Sequence, residues 1–327
     1  MKALVTGGTG FVGSHVVELL LEEGWEVVCP VRDARNLRNL SGVKVRIIPF
    51  EGIEQEARRT PGFNFVIHAA GATRGLNYEQ YRQANVEGTR SLLEILARLP
   101  LGSTFRRFVL VGSQAAAGPC AEPGVPVAES DNPRPVSLYG KSKLEAERVV
   151  LSFACRLPVT IVRPSTVFGP KDRDVLGVFR CAQHGFSPYL GGPDRLFSVI
   201  YVEDLARGIR EAATAAVQSG ETYFLANKTP VSWREFTGEV ARVMGCRTMN
   251  VPIPLAVMRL ASLAGEVAGR VARSPQLLRR EKFDEMKQSG WVCSTEKAKR
   301  ELNWEAQTPL HEALRKTVGW YRATGWL

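Results

Sequence analysis

Three glycines at three-residue intervals, Gly7, Gly10 and Gly13, separate a short apolar stretch at residues 2–5 from an amphipathic one at 14–23. A strand that turns at once into a helix needs a residue without a Cβ at the turn, and Gly7 supplies it. Gly10 lets the backbone come up against a bulky anion such as a pyrophosphate, and Gly13 lets the helix lie close to the strand. Thr9, Phe11 and Val12 complete the turn, whose amides open the helix and are placed to hold phosphate oxygens. The same spacing also occurs as plain strand–helix punctuation. Here it follows a strand pattern and opens a helix pattern, the context that the ligand-binding reading requires.

From this start, strand and helix patterns alternate to about residue 168. Strands are expected near 2–6, 26–31, 43–48, 64–68, 107–112 and 158–162, with long helices at 78–99 and 138–154. Such alternation predicts an α/β fold: a Rossmann-type, doubly wound parallel sheet with its ligand at the carboxyl ends of the strands. After Pro170 the alternation breaks. A helix at 175–183, a strand at 197–201, a helix at 202–216 and a strand at 222–226 follow, then a mainly helical stretch at 252–288 and an amphipathic helix at 309–327. We therefore expect a dinucleotide-binding domain of residues 1–170, joined by 197–226. A smaller, mostly helical substrate domain takes up 171–327. Trp320, Tyr321 and Trp326 in the tail are read as docking residues.

Tyr139 and Lys143 stand four apart in a helical pattern, so they share a face one turn apart. A phenol is a poor base at neutral pH because its pKa is about 10. A fixed ammonium beside it favours the phenolate, and the expectation is that Lys143 draws the Tyr139 pKa down toward neutrality. The pair suits proton transfer to or from an alcohol or carbonyl oxygen.

Composition sets limits. Hydrophobic residues make up 44% and charged residues 23% of 327, ordinary for a globular protein. No apolar run is long enough for a membrane span. Met1-Lys2 leads straight into the first strand pattern, which gives the expectation of no signal peptide and a cytoplasmic location. Six scattered cysteines without a CxxC pair fit reduced thiols, and the four histidines lack metal-ligand spacing, so no metal is expected. The net charge of +10 comes from arginines spread along the chain without a nucleic-acid module; nucleic acid is not expected as a partner.

Further motifs stand in order along the chain: His68-Ala69-Ala70-Gly71, Asn85-Val86-Glu87-Gly88-Thr89, Ser113 after the fifth strand, Arg163-Pro164-Ser165-Thr166-Val167-Phe168-Gly169-Pro170, and Val202-Glu203-Asp204-Leu205-Ala206. With the glycine turn and the tyrosine–lysine pair, they resemble the extended short-chain dehydrogenases/reductases over nearly the whole chain. The resemblance implies catalytic roles for Ser113, Tyr139 and Lys143. It implies that Lys143 also holds the nicotinamide ribose and that Pro164 and Ser165 line the nicotinamide. Ala69, Ala70, Gly71 and Asn85 then stand along the cofactor, Asn85 supporting the sheet or serving a proton path; a buried helix asparagine that only satisfies backbone groups is an equal alternative. Asp204 is read as capping or anchoring its helix, Arg163 as a brace, and His68 as non-catalytic. A homodimer through the helices at 78–99 and 138–154 is expected by the same resemblance.

Cofactor choice turns on the end of the second strand. NAD-using relatives place an acid there, where this chain has Val31 followed by Arg32 and then Arg35. Guanidinium groups bind a 2′-phosphate well, which favours NADP; Asp33 and a merely stacking Arg32 keep NAD open. For the substrate, Phe197 stands where nucleotide-sugar enzymes of the family carry an arginine for the substrate diphosphate, with Arg195 near. Gln114 stands where dehydratases carry an acid. The chain thus looks closer to hydroxysteroid dehydrogenases and dihydroflavonol reductases. The expected reaction interconverts an alcohol and a ketone on a small, cyclic or lipid-like molecule. The alternatives are a nucleotide-sugar epimerase or dehydratase with bound NAD and, from another class, a non-catalytic NADP-binding sensor. Retention of both Tyr139 and Lys143 speaks against the sensor.

Overall fold

The computed structural model describes the chain except residues 34–36, 60, 61, 100–103, 193 and 273–279. Among the described residues, seven strands form one parallel sheet. Strand β1 (Lys2–Thr6) lies between β2 (Glu26–Val31), flanked by β3 (Arg46–Pro49), and β4 (Phe65–His68). Beyond β4 follow β5 (Arg107–Val111), β6 (Val159–Pro164) and the strand Glu221–Leu225. The order reverses at β1, which opens a crevice between the carboxyl ends of β1 and β4, the place where open α/β sheets bind ligands.

The strands are apolar on both faces because both faces are covered. Ala3 and Val5 pack toward helix α1 (Phe11–Glu22) and the helix Val202–Thr214, while Leu4 faces the opposite layer of helices Gly88–Arg98 and Leu138–Ser152. All three side chains are fully buried. A buried leucine of this kind contributes about 1.5–3 kcal/mol.

Most expected elements are present with small shifts at their ends; four findings differ in kind. The helix expected at 78–99 contains a π-helical stretch, Arg82–Glu87, where Asn85 turns its side chain into the backbone of Ala72 and its carbonyl accepts from the Thr89 hydroxyl at 2.6 Å. The strand expected at 197–201 is split at Ser198, whose N–H donates to Trp291 O at 2.8 Å. Leu196–Phe197 pairs with Val231–Ser232, and Val199–Tyr201 with Thr166–Phe168. The stretch expected to be helical from 252 begins inside a strand, Met249–Ile253, paired with Phe186–Leu190. Asp204 does not cap its own helix: fully buried, it accepts from the N–H groups of Gln307 (3.1 Å) and Thr308 (3.0 Å) and pairs with Arg207, anchoring the approach to the last helix.

The tail helix Leu310–Ala323 packs back onto the chain. Tyr321 is fully buried, donates to Asp172 O at 2.7 Å and stacks on Trp326. Arg163 makes a buried ion pair with Glu147 at 2.7 Å and lies over the Phe224 ring, so it does brace the sheet against the Leu138–Ser152 helix.

Candidate active site

The glycine turn sits at the carboxyl end of β1. Gly7 has φ +71°, and a Cβ on it would lie 2.5–2.7 Å from the backbone of Ala69 and Ala70. At Gly13 a Cβ would lie 2.2 Å from Gly7 O, so a side chain there would push α1 off the strand. Gly10 is the N-cap of α1, and among the described residues no side chain caps it. The amides of Phe11, Val12 and Gly13 therefore open a helix whose positive end faces the crevice. The loop after β2 lies over this turn: Asn39 Nδ2 donates to Thr9 O at 2.9 Å. Arg32 is exposed at the end of β2, and Arg35 lies outside the described residues.

The helix Leu138–Ser152 begins at Ser137, whose hydroxyl accepts from Gly140 N–H at 3.0 Å. Its first turn presses on the end of β5. A Cβ on Gly140 would stand 2.3 Å from Ala115 O, so only glycine lets this helix approach the segment carrying Ser113. Ser113 caps the short helix Gln114–Ala117, accepting from Ala115 N–H at 3.1 Å, and its side chain stands beside the Tyr139 phenol. Tyr139 is half-buried, with the fully buried Tyr81 ring 6.1 Å away.

Burial pushes the Tyr139 phenol up to about 12, against the neighbouring Ser113 side chain, which favours the ionised form. The Glu285 carboxylate adds to the rise. This reverses the direction expected from the tyrosine–lysine spacing. Lys143 is itself buried, and its ammonium donates to Val111 O at 2.7 Å. Desolvation draws its pKa down to about 8, opposed by Glu147 one turn on. A buried cation weakened by its own desolvation does not offset the desolvation of the phenol. The protein around Tyr139 holds the neutral O–H, a proton donor.

Asn85 ties the pieces together. Its Oδ1 accepts from Ala72 N–H (2.7 Å), and its Nδ2 donates to Ala72 O (3.0 Å) and Ser142 Oγ (2.9 Å). It clamps the loop after β4 to the helix of Tyr139. A Cβ on Gly71 would lie 2.7 Å from Asn85 Oδ1 and 3.9 Å from Lys143 Nζ, so Gly71 keeps room beside the lysine. His68 is buried: Thr6 donates to its Nδ1 at 2.6 Å, its Nε2 meets Thr89 Oγ1 at 3.0 Å, and burial drives its pKa down to about 3. It is a neutral structural link. Pro164 and Ser165 follow at the end of β6, and the Ser165 hydroxyl is buried without a partner among the described residues.

The glycine cradle, the uncapped start of α1 and the orphaned Ser165 hydroxyl fit a dinucleotide with a polar carboxamide at its far end. No group of three or more metal-ligating side chains occurs among the described residues.

Two contributors escaped the sequence reading. Gly140 was visible only as part of the tyrosine–lysine motif, with no sign of its contact. Glu281, on the helix Arg280–Met286, accepts from Tyr139 N–H at 2.7 Å and from the Tyr81 hydroxyl at 3.1 Å. It joins the C-terminal part to the helix of Tyr139 across 142 positions, and no local pattern announces it.

The profile of the NAD dependent epimerase/dehydratase family matches residues 3–226, the stretch that builds this sheet and crevice. The chain belongs to that family. It is an NAD(P)-dependent enzyme of the extended short-chain dehydrogenase/reductase type. It is 27% identical over 326 residues to a ceramide reductase of Caulobacter vibrioides, covering 99% of this chain and 95% of that one. It is 25% identical to a UDP-glucose 4-epimerase of Vibrio cholerae, over 77% of this chain and 78% of that one. The fold matches that of MoeE5 in complex with UDP-glucose and NAD, with a TM-score of 0.76, 24% identity and 99% of both chains covered.

Proposed function

We propose that the chain is an NADP(H)-dependent reductase that converts a ketone on a small, apolar, lipid-like or cyclic molecule into an alcohol. The observation that carries this reading is the meeting of Ser113, at the end of β5, with Tyr139 and Lys143 one turn apart on the helix Leu138–Ser152; desolvation there favours the protonated phenol. A nicotinamide held along the glycine turn would supply the hydride for the carbonyl carbon. Ser113 and Tyr139 take the carbonyl oxygen between their hydroxyls, and Tyr139 donates the proton as charge develops on that oxygen. Lys143, whose ammonium donates to Val111 O here, would hold the cofactor ribose. The backbone of Ala69, Ala70 and Gly71 and the side chains of Pro164 and Ser165 border the cofactor.

Substrate polarity is argued from Phe197. The position where a diphosphate-binding arginine is expected is built into an aromatic cluster, Phe197 lying 5.6 Å from Trp233 and 6.1 Å from Phe236. The ceramide reductase relative, named for a lipid, supports the same class. Arg32, with Arg35 in the sequence, supports NADP. A homodimer through the helices that carry Tyr81 and Tyr139 is part of the proposal; the exposed Leu138 and Leu151 suit such a contact.

The similarity to UDP-sugar epimerases supports a second reading, epimerisation with bound NAD and no net use of cofactor. Nicotinamide absorbance separates the two. Mixed with long-chain ketones and with UDP-sugars, the chain is expected to oxidise NADPH stoichiometrically with a ketone. Sugar interconversion without absorbance change would overturn the reductase reading. Fluorescence titration is expected to show tighter binding of NADPH than NADH; the opposite order would remove the argument from Arg32.

A further inference from the structure

The helix Leu255–Val271 is apolar on the side it turns to solvent. Leu260 is 68% exposed, Val267 60% and Val257 53%, with Leu255 and Leu263 also exposed. At about 3.6 residues per turn, Leu263, Val267, Leu260, Ala264, Val257 and Ala268 fill one continuous arc. Ser262 and Gly269 mark the buried side, and the exposed Arg259 stands at the edge of the arc. A surface helix of a water-surrounded protein has the reverse arrangement, with charges outward.

We propose that this helix docks the chain in the plane of an anionic lipid bilayer. Among the described residues no helix is long and apolar enough to cross a membrane, so the apolar arc suits lying in the headgroup region. Charge complementarity selects the occupant. Between residues 252 and 288 the sequence has seven basic residues (Arg259, Arg270, Arg273, Arg279, Arg280, Lys282, Lys287) against four acids (Glu266, Glu281, Asp284, Glu285), within a chain of net charge +10. Beside the arc lies a cleft of about 530 Å³ between this helix and Arg280–Met286, with Leu255, Leu263 and Phe283 in its wall. Arg259 and Arg280 line the same cleft, as do Lys287 and Asp284, which pair with each other. An apolar wall with cationic groups fits a lipid chain and its anionic head. A second copy fits less well, because both copies would bring the same excess of basic residues to the contact.

The test is co-sedimentation of the full chain with vesicles of phosphatidylcholine, alone or with about 30% phosphatidylglycerol. The chain is expected to sediment with the anionic vesicles, less so in high salt, and weakly with the neutral ones. The double variant L260E/V267E is expected to lose at least about tenfold in partitioning, with unchanged circular dichroism and NADPH binding. Should the double variant fail those folding controls, Leu260→Gln alone is compared. Equal partitioning of a folded variant, or no partitioning of the natural chain, would overturn the proposal. So would light scattering that shows a dimer split by the same variants, since a second copy would then cover the face.

Discussion

Tyr139, half-buried, and Lys143, buried, stand one helical turn apart, and desolvation acts on them in opposite directions. It raises the phenol to about 12 and lowers the ammonium to about 8. Through neutral pH the phenol therefore stays a donor, while Lys143 is the group that titrates near working conditions. We expect kcat/KM for reduction to fall as pH rises through about 8, where the ammonium loses its proton; pH–rate profiles of the natural chain and Lys143→Met test this, and an unchanged fall in the variant would assign the titration elsewhere. Asp172 makes a separate prediction about stability. Its buried carboxyl is pushed up to about 7, mainly by desolvation, from an ordinary value of about 4. Between those values the native chain holds a proton that the unfolded chain releases. Its contribution to stability is thus fully present below about pH 4 and is lost as pH rises through about 7. Thermal midpoints of Asp172→Asn across that window are expected to lack this decline; an identical slope in variant and natural chain would contradict the assignment.

At the scale of elements, the site depends on how closely the helix Leu138–Ser152 approaches Ser113. Gly140→Ala places a Cβ against Ala115 O, where 2.3 Å is available. Overpacking of this kind costs about 1–3 kcal/mol. We expect a lower thermal midpoint and at least a tenfold loss of kcat/KM, since the shift also parts Ser113 from Tyr139; wild-type kinetics would show the contact to be slack. Glu281 fixes the same helix from the other side. Glu281→Ala removes an acceptor from its first turn, an interaction type worth about 0.5–2 kcal/mol, and is expected to raise KM for the carbonyl substrate while cofactor affinity holds. A loss of cofactor binding instead would assign Glu281 to the dinucleotide half. The glycine turn and the tyrosine–lysine spacing were legible because each is a local rule: a residue without a Cβ where chain meets chain, and one helical turn between two side chains. The π-helical stretch at Arg82–Glu87 was not, because it comes from Asn85 reaching the backbone of Ala72, a partner outside its own helix. The direction of the Tyr139 shift was misread for a related reason. Spacing along a helix shows which charge is near, and only the folded surroundings show how deeply both groups are desolvated.

Over the whole molecule, the parallel sheet was readable because strands covered on both faces carry near-continuous apolar runs, as β1, β4 and β5 do apart from polar residues at their ends. The C-terminal part was less so. Its short strands, Phe186–Leu190 with Met249–Ile253 and Leu196–Phe197 with Val231–Ser232, pair across long stretches of chain, and two or five residues carry too little pattern to betray a partner. That part bears the apolar helix Leu255–Val271 and, through Glu281, touches the helix of Tyr139. The proposed reduction requires Tyr139 as the proton donor beside a bound nicotinamide. The most direct measurement is the rate of NADPH oxidation at saturating ketone in the natural chain and in Tyr139→Phe, with NADPH affinity measured alongside. A fall of about 10²–10⁴-fold with affinity unchanged is the expected result, the range that general acid catalysis supplies. Turnover by Tyr139→Phe at the natural rate would contradict it.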